Sequence, residues 1–556
     1  MKLNYLLEIS KKTSLDINSL DKLLMIPPSD KMGDLAMPCF SLAKKYKKSP
    51  MLIAEDLSKE FENSELFDKV ENTKGYLNFY YNREIFTKNT LETILNKKNN
   101  LGIKPIKEGK KIVVEFSSPN VAKPFGVGHL RSTIIGNSIA KLYEKVNAKV
   151  TKINYLGDWG TQFGKLLCGF KKYGDTEELT KNPISHLNDI YVKINSNLTE
   201  KIETDSRNYF KRMEEGDNQV LSIWEKFRNL SLREFETVYG LLGVSFDDIS
   251  GESRYNRKSK DIISRLKDNG ILTNSQNAKI VNLKKYNLGV VILEKGDGTS
   301  IYASRDLAAA IDRYEKYEFD EMIYEVGKEQ DLYFRQVFKI LNLLDNNFKD
   351  KLYHVSHGLY LGNDGKKLSS RKGTSVKMED VWNQVKDEIT LYYKNSDKIP
   401  INNDLNLMTK AAIIYSDLKS QRYNDIIFDP KKVVEQNGNT GIYLLYSYAR
   451  ANSILKKSSL EGKNSSVPET ILDEEFKLIK KFNDYSRFVE MAVNKKDPSK
   501  LANFIYDISQ TFNHFYNKCK VIGVPEENFR INLVKSYSSV ISDGLNLLGI
   551  DTLEKI

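Results

Sequence analysis

The stretch KIVVEFSSPNVAKPFGVGHLRSTIIG, Lys111 to Gly136, decides the fold. Lys111 to Phe116 is short, apolar and β-branched, which predicts a buried strand. Ile134, Ile135, Ile139, Leu142, Tyr143 and Val146 then recur at helical spacing, and AKVTKINYLGDWG, Ala148 to Gly160, supplies a second strand. Strands joined in this way run parallel, and ligands collect beyond their carboxyl ends, where this turn lies. The turn holds Pro119, Pro124, Gly126, Gly128 and His129, one of only five histidines. It is not a dinucleotide fingerprint, because Arg131 stands where GxGxxG needs its third glycine, and no GxxxxGK[ST] loop occurs. A helix amino terminus attracts an anion through its unpaired amides, Gly126 and Gly128 let a ligand approach the backbone, and His129 is placed to donate to a phosphoryl oxygen.

Outward from this turn, the pattern divides. Residues 1 to about 88 mix helical spacing with the strand-like GYLNFYYN, Gly75 to Asn82, and read as a small α/β domain. The polar run from 96 to 111 reads as a linker too poor in apolar surface to order itself. From about 170 to 222 the chain is polar and helical without a chemical motif, and strand and helix character return near residue 290. Beyond about 405, amphipathic stretches such as TGIYLLYSYARANSILKK predict a helical bundle.

With 556 residues, 40% of them hydrophobic and 29% charged, the chain needs several cores and has no apolar run of membrane-spanning length. Its amino terminus lacks a secretory cleavage pattern, so a cytoplasmic protein without membrane attachment is expected. Cys39, Cys168 and Cys519 are far apart and show no zinc-ligand spacing, so neither disulfides nor bound zinc are expected. A formal charge of +11 and a pI near 9.0 favour a polyanionic partner.

A second cluster, GNDGKKLSSRKGTS from Gly362 to Ser375, has no apolar face to bury and suits a phosphate chain, whose charge lysine and arginine stabilise. The pairing of GVGH with KLSSR resembles the HIGH and KMSKS signatures of class I aminoacyl-tRNA synthetases. Longer blocks, among them NYLGDWGTQFGKL, IYASRDLAAA, VGKEQDLYFRQVF and GNTGIYLLYSYAR, resemble arginyl-tRNA synthetases in particular. They fall in family order between residue 111 and about 453.

The resemblance implies an α/β fold: a Rossmann-like parallel-sheet catalytic domain over 109–385 with insertions near 170–222 and 250–298, a small amino-terminal α/β domain over 1–95 that touches tRNA, and a helical anticodon-binding bundle over 405–556. It implies ATP-dependent activation of L-arginine and transfer to tRNA(Arg), with Mg²⁺ accompanying ATP, activation dependent on bound tRNA, and a monomer. A planar guanidinium calls for carboxylates. By resemblance Glu115, Tyr302 and Asp306 surround it, with Asn120 and Gln330 on the α-ammonium. Tyr302 and Asp306, four residues apart, share a face if both are helical. ATP is assigned to Lys123, Gly126, Gly128, His129, Lys367, Ser370 and Arg371, of which Lys123, His129, Lys367 and Arg371 are the catalytic group. Tyr443, Tyr446 and Arg450 make one helical stripe suited to stacking on anticodon bases.

One departure stands out. Gly126 replaces the first histidine of the HIGH pattern and removes a donor worth about 1–3 kcal/mol. The alternative reading that follows is a catalytically weakened relative acting as an RNA-binding protein.

Overall fold

The computed structural model describes residues 2–96, 100–296, 301–362, 365–366, 376–394, 402–458 and 467–555. The amino-terminal region is a three-stranded antiparallel sheet, β1 (Leu35–Pro38), β2 (Phe67–Thr73) and β3 (Tyr76–Tyr81), with β3 central. The helices Lys2–Thr13, Pro50–Lys59 and Arg83–Asn96 accompany it, and Tyr5, Phe67, Phe79 and Phe86 form its aromatic core. Ser49 starts the second of these helices by accepting from the Leu52 amide, with Pro50 in the first turn, where its missing N–H costs nothing.

From residue 100 to 111 the chain is not the unordered linker that its polarity predicts. Leu101 and Ile103 are buried in the main core, the Lys107 amide donates to the Val146 carbonyl, and its ammonium pairs with Glu321. Two apolar side chains and one ion pair suffice to pin the segment, and an average over its lysines and asparagines conceals them.

Five parallel strands follow: β4 (Lys111–Glu115), β5 (Lys149–Leu156), β6 (Asp248–Gly251), β10 (Glu321–Gly327) and β11 (Leu352–His357), in the order β11-β10-β4-β5-β6. The chain leaves β4 for β5 on one side and later fills β10 and β11 on the other. The C-terminal ends of β4 and β10 therefore flank the switch point of the sheet. The helix Val127–Lys145 joins β4 to β5 and buries Ile134, Ile135, Ile139, Leu142 and Tyr143. It lies so close to the strand's end that a Cβ at Gly136 would stand 2.2 Å from the Phe116 side chain. Between β5 and β6 come five helices, from Thr161–Tyr173 to Asn218–Leu242. Between β6 and β10 a separate antiparallel sheet forms from β7 (Leu272–Ser275), β8 (Ala278–Asn282) and β9 (Val290–Glu294), so the strand character near residue 290 belongs to this sheet and not to the central one.

The C-terminal region is helical. Asn402–Leu418, Gly441–Lys457, Asp473–Lys495, Ser499–Lys518 and Glu527–Leu547 pack around Tyr485, Phe504, Phe512 and Tyr537. A Cβ at Gly441 would meet the Ala411 carbonyl oxygen at 2.2 Å, so glycine there sets the approach of two helices. Ser138 donates to the Leu547 carbonyl, and the fully buried Arg131 pairs with Asp417 at 3.3 Å, which locks this region onto the central helix. Among the described residues, no helix is long and apolar enough to cross a membrane.

Candidate active site

A crevice of about 860 Å³ opens at the switch point. It is built first by the turn after β4. Ser117, Ser118 and Ala122 all adopt positive φ, a strained choice for side-chain-bearing residues that persists only where neighbours enforce it. Those neighbours are identifiable: the Ser117 amide donates to Ser132 Oγ at 2.9 Å, the Ala122 amide to Ser231 Oγ at 2.9 Å, and Val121 and Gly157 tie the turn to the end of β5. The turn is thus preorganised before any ligand arrives.

Gly126 precedes the helix Val127–Lys145, and its amide donates to His129 Nδ1 at 3.4 Å. That bond leaves the proton of the neutral ring on Nε2, so His129 offers a donor to the crevice that it lines. Burial, with Lys123 and His357 nearby, lowers the His129 pKa to about 4 and keeps it neutral at physiological pH. A Cβ at Gly128 would meet nothing within 4 Å, and one at Gly126 only the Val376 carbonyl at 3.8 Å, so both glycines border open space. Lys123 lies 5.1 Å from the Tyr191 ring centroid, on a helix of the first insertion, and burial lowers its pKa.

At the other end, the helix Tyr302–Tyr317 presents Tyr302, Asp306, Ala309 and Arg313 to the crevice, the spacing of one helical face. Asp306 accepts from the Tyr333 hydroxyl, and burial raises its carboxyl pKa. Tyr302 is exposed and meets Tyr333 edge to face, with centroids 5.1 Å apart. Glu115, at the end of β4, lines the crevice but is already paired with the buried guanidinium of Arg313. The sequence assigned Glu115 to a ligand guanidinium, with a lysine as the ordinary alternative; in the structure it lines the crevice and pairs with an arginine, not a lysine, from the same helix as Asp306. Glu252 accepts both Nε and Nη2 of Arg305, at 3.1 and 2.8 Å. Asn120 and Gln330 also line the crevice, Gln330 exposed on the turn after β10.

Lys367, Ser370 and Arg371 lie outside the described residues. The segment re-emerges at Val376, whose carbonyl accepts from the Val127 amide, while the Met378 amide donates to the Phe125 carbonyl. This end of the loop is thereby anchored on the histidine-bearing turn.

Several crevice residues escaped the sequence reading: Tyr155, Asn188, Glu252, Arg313, Tyr333 and the pair Glu325–His357, joined at 2.8 Å. Arg313 alone left a legible sign, since it follows Asp306 by seven residues on a helix. Tyr443, Tyr446 and Arg450 stand elsewhere, on Gly441–Lys457. The tyrosines are half-buried and Arg450 is exposed. Tyr443 accepts from Asn513, Tyr446 bonds Tyr393 and Gln436, and Arg450 donates to Asn513 and lies 5.6 Å from the Tyr516 ring.

The crevice at the switch point, with a histidine-bearing helix start on one side and acidic groups on the other, lies in a class I tRNA synthetase catalytic domain, the family whose model this part of the chain matches. Residues 90–430 match the family model for the class I tRNA synthetase (R) catalytic domain, 444–556 the DALR anticodon-binding domain, and 5–81 the arginyl-tRNA synthetase N-terminal domain. The arginine–tRNA ligase of Clostridium botulinum (strain Alaska E43) is 42% identical over 556 residues, covering 99% of this chain and 98% of its own. That of Clostridium beijerinckii is 40% identical at the same coverage. The Plasmodium falciparum arginyl-tRNA synthetase structure superposes with a TM-score of 0.80 at 25% identity, over 99% of this chain and 98% of that one. The Thermus thermophilus structure shares the fold over the whole of both chains, with a TM-score of 0.81 at 22% identity. The chain belongs to the arginyl-tRNA synthetase family.

Proposed function

We propose that the protein is an ATP-dependent arginine–tRNA ligase. The observation that carries this reading is Asp306. Among the described residues no cation forms an ion pair with it, and it lies on the same crevice as the donor array of His129 and the helix start. A carboxylate without a cationic partner suits a guanidinium, and amides plus a neutral imidazole donor suit phosphate.

In the first step an arginine carboxylate oxygen attacks the α-phosphorus of ATP and pyrophosphate leaves with the breaking P–O bond, giving arginyl-adenylate. In the second, a terminal tRNA hydroxyl attacks the arginyl carbonyl, loses its proton and expels AMP. Neither step needs a protein nucleophile; positioning and charge stabilisation carry the rate. His129 Nε2–H, the amides beyond Gly126 and Lys123 are assigned to phosphate oxygens, together with Lys367, Ser370 and Arg371. Mg²⁺ enters as the ATP complex. Glu115, Asp306, Tyr302 and Tyr333 are assigned to the guanidinium, and Asn120 and Gln330 to the α-ammonium. Tyr443, Tyr446 and Arg450 are assigned to the anticodon loop of tRNA(Arg). The reading includes a cytoplasmic monomer.

ATP–pyrophosphate exchange with each amino acid, with and without tRNA, tests the proposal. Exchange stimulated by arginine alone among amino acids is expected, and tRNA should be required for it. RNA binding without arginine-dependent exchange would overturn it.

A further inference from the structure

The crevice lacks the histidine that Gly126 replaces, and the space there is open: a Cβ at Gly126 would meet only the Val376 carbonyl, at 3.8 Å. Another imidazole of the same crevice has no role in the steps above. His357 ends β11, and its Nδ1 lies 2.8 Å from Oε1 of Glu325 on β10. In the parallel register His357 stands opposite Gly327, two residues beyond Glu325 and on the same face of the sheet. Both residues are tied to the helix that carries His129. The Glu325 carbonyl accepts from Ser132 Oγ at 2.9 Å, and the Arg422 carbonyl accepts from both Arg131 and the Gly358 amide. A Cβ at Gly358 would stand 2.3 Å from the Asn424 carbonyl oxygen, so glycine lets the end of β11 close onto that segment.

Glu325 is fully buried, and its Oε2 has no hydrogen-bond partner among the described residues. The cations nearby are engaged elsewhere, Arg131 with Asp417 and Arg422 with the Ser356 and Lys496 carbonyls. A carboxylate buried in this way costs stability and is retained where its charge acts on a neighbour. That neighbour is the His357 ring. A carboxylate at Nδ1 requires an N–H there and stabilises positive charge on the imidazole, which makes Nε2 a charged donor when an anion arrives. His129 is held the opposite way, with a backbone amide donating to its Nδ1.

We propose that His357 is a catalytic residue that stands in for the imidazole missing at position 126, its Nε2–H donating to a phosphoryl oxygen of ATP, with Glu325 as the positioning residue behind it. The ring takes its second proton from solvent as the triphosphate binds. It keeps that proton while the arginine carboxylate attacks and pyrophosphate leaves, so it acts by meeting the charge that gathers on phosphate oxygens. The inference rests on the arginine-ligase reading and adds a residue to its ATP side.

The test is a coupling cycle between positions 126 and 357, read by ATP–pyrophosphate exchange with tRNA present, varying ATP and arginine. His357→Phe keeps a ring and loses both nitrogens. It should lower kcat/KM for ATP by about thirtyfold, with the arginine KM shifting less than about threefold. Gly126→His puts an imidazole into the open space, and in that background His357→Phe should cost less than about fivefold. Equal losses in the two backgrounds overturn the proposal, because a ring that merely packs at the end of β11 is not relieved from position 126. Parallel shifts in the ATP and arginine constants also overturn it, since they signal a structural role. Glu325→Gln keeps the shape and removes the charge, and should lower kcat by about tenfold, a loss that Gly126→His reduces to under about threefold. If His357→Phe does not fold, Glu325→Gln decides alone by the same coupling. Arginine-dependent exchange by the native enzyme tests the underlying reading separately.

Discussion

Replacing Asp306 by asparagine removes one charge and almost no volume, and the amide oxygen still accepts from Tyr333. Two unit charges about 4 Å apart at an effective dielectric near 20 attract by about 4 kcal/mol. Part of that is offset by the desolvation that the charged form no longer suffers, which leaves a loss of about 3 kcal/mol. At about 1.4 kcal/mol per decade, the arginine KM should rise by roughly two orders of magnitude. The ATP KM should move by less than about threefold. Steady-state ATP–pyrophosphate exchange with tRNA present measures both. Equal changes in the two constants, or an arginine change under about tenfold, would refute the assignment. Stability should go the other way. Burial raises the Asp306 pKa, so between its unfolded and folded values the native state binds more protons than the unfolded chain, and stability falls as pH rises through that window. The neutral asparagine escapes this cost, and the variant should melt no lower than the native protein at pH 8. A site that gains stability when it loses its function is the signature of a charge retained for a ligand.

The remaining predictions concern His129, the buried ion pair and the tyrosine stripe. His129 should titrate near pH 4 in the ligand-free protein, so the stability that its neutral form contributes is present above about 6.5 and lost as pH falls toward 4. Histidine ring resonances followed by NMR would show this, and a midpoint above 6 for His129 would contradict it. Arg131→Met leaves the Asp417 carboxylate, 1% exposed, without its cation and should cost about 3–5 kcal/mol, visible as a lowered Tm. An unchanged Tm would show that the pair does not lock the helical region to the catalytic one. Tyr443→Ala should raise the tRNA KM by about tenfold, as one lost base stack would, and leave the arginine and ATP constants unaltered. Tyr446→Phe keeps the ring face and loses only the bonds to Tyr393 and Gln436, so a loss of tRNA affinity as large as that of Tyr446→Ala would point to packing instead of stacking.

Much of the site was legible because its elements are local. A buried strand, a glycine-bearing turn and a helix with a three-to-four repeat lie within 35 residues from Lys111 to Lys145, and each is dictated by side chains a few positions apart. The same holds for Tyr302 and Asp306, which share a helical face. The stretch from 100 to 111 misled because composition averages over a run, whereas burial of Leu101 and Ile103 is decided by what happens to stand above them.

The family resemblance implied Glu115 and Asp306 as partners of a guanidinium, whereas from the amino-acid order alone came the parallel β4–helix–β5 unit and the histidine at a helix mouth. Periodicity and turn chemistry are read along the chain, and these features need nothing else. The tertiary structure alone decided that Glu115 pairs with Arg313, that no cation forms an ion pair with Asp306 among the described residues, and that Tyr333, Asn188 and Glu252 complete the wall. Those facts depend on which strands the sheet order sets side by side, with Tyr324 of β10 opposite Glu115 of β4, and no local pattern encodes a neighbour that arrives from another strand.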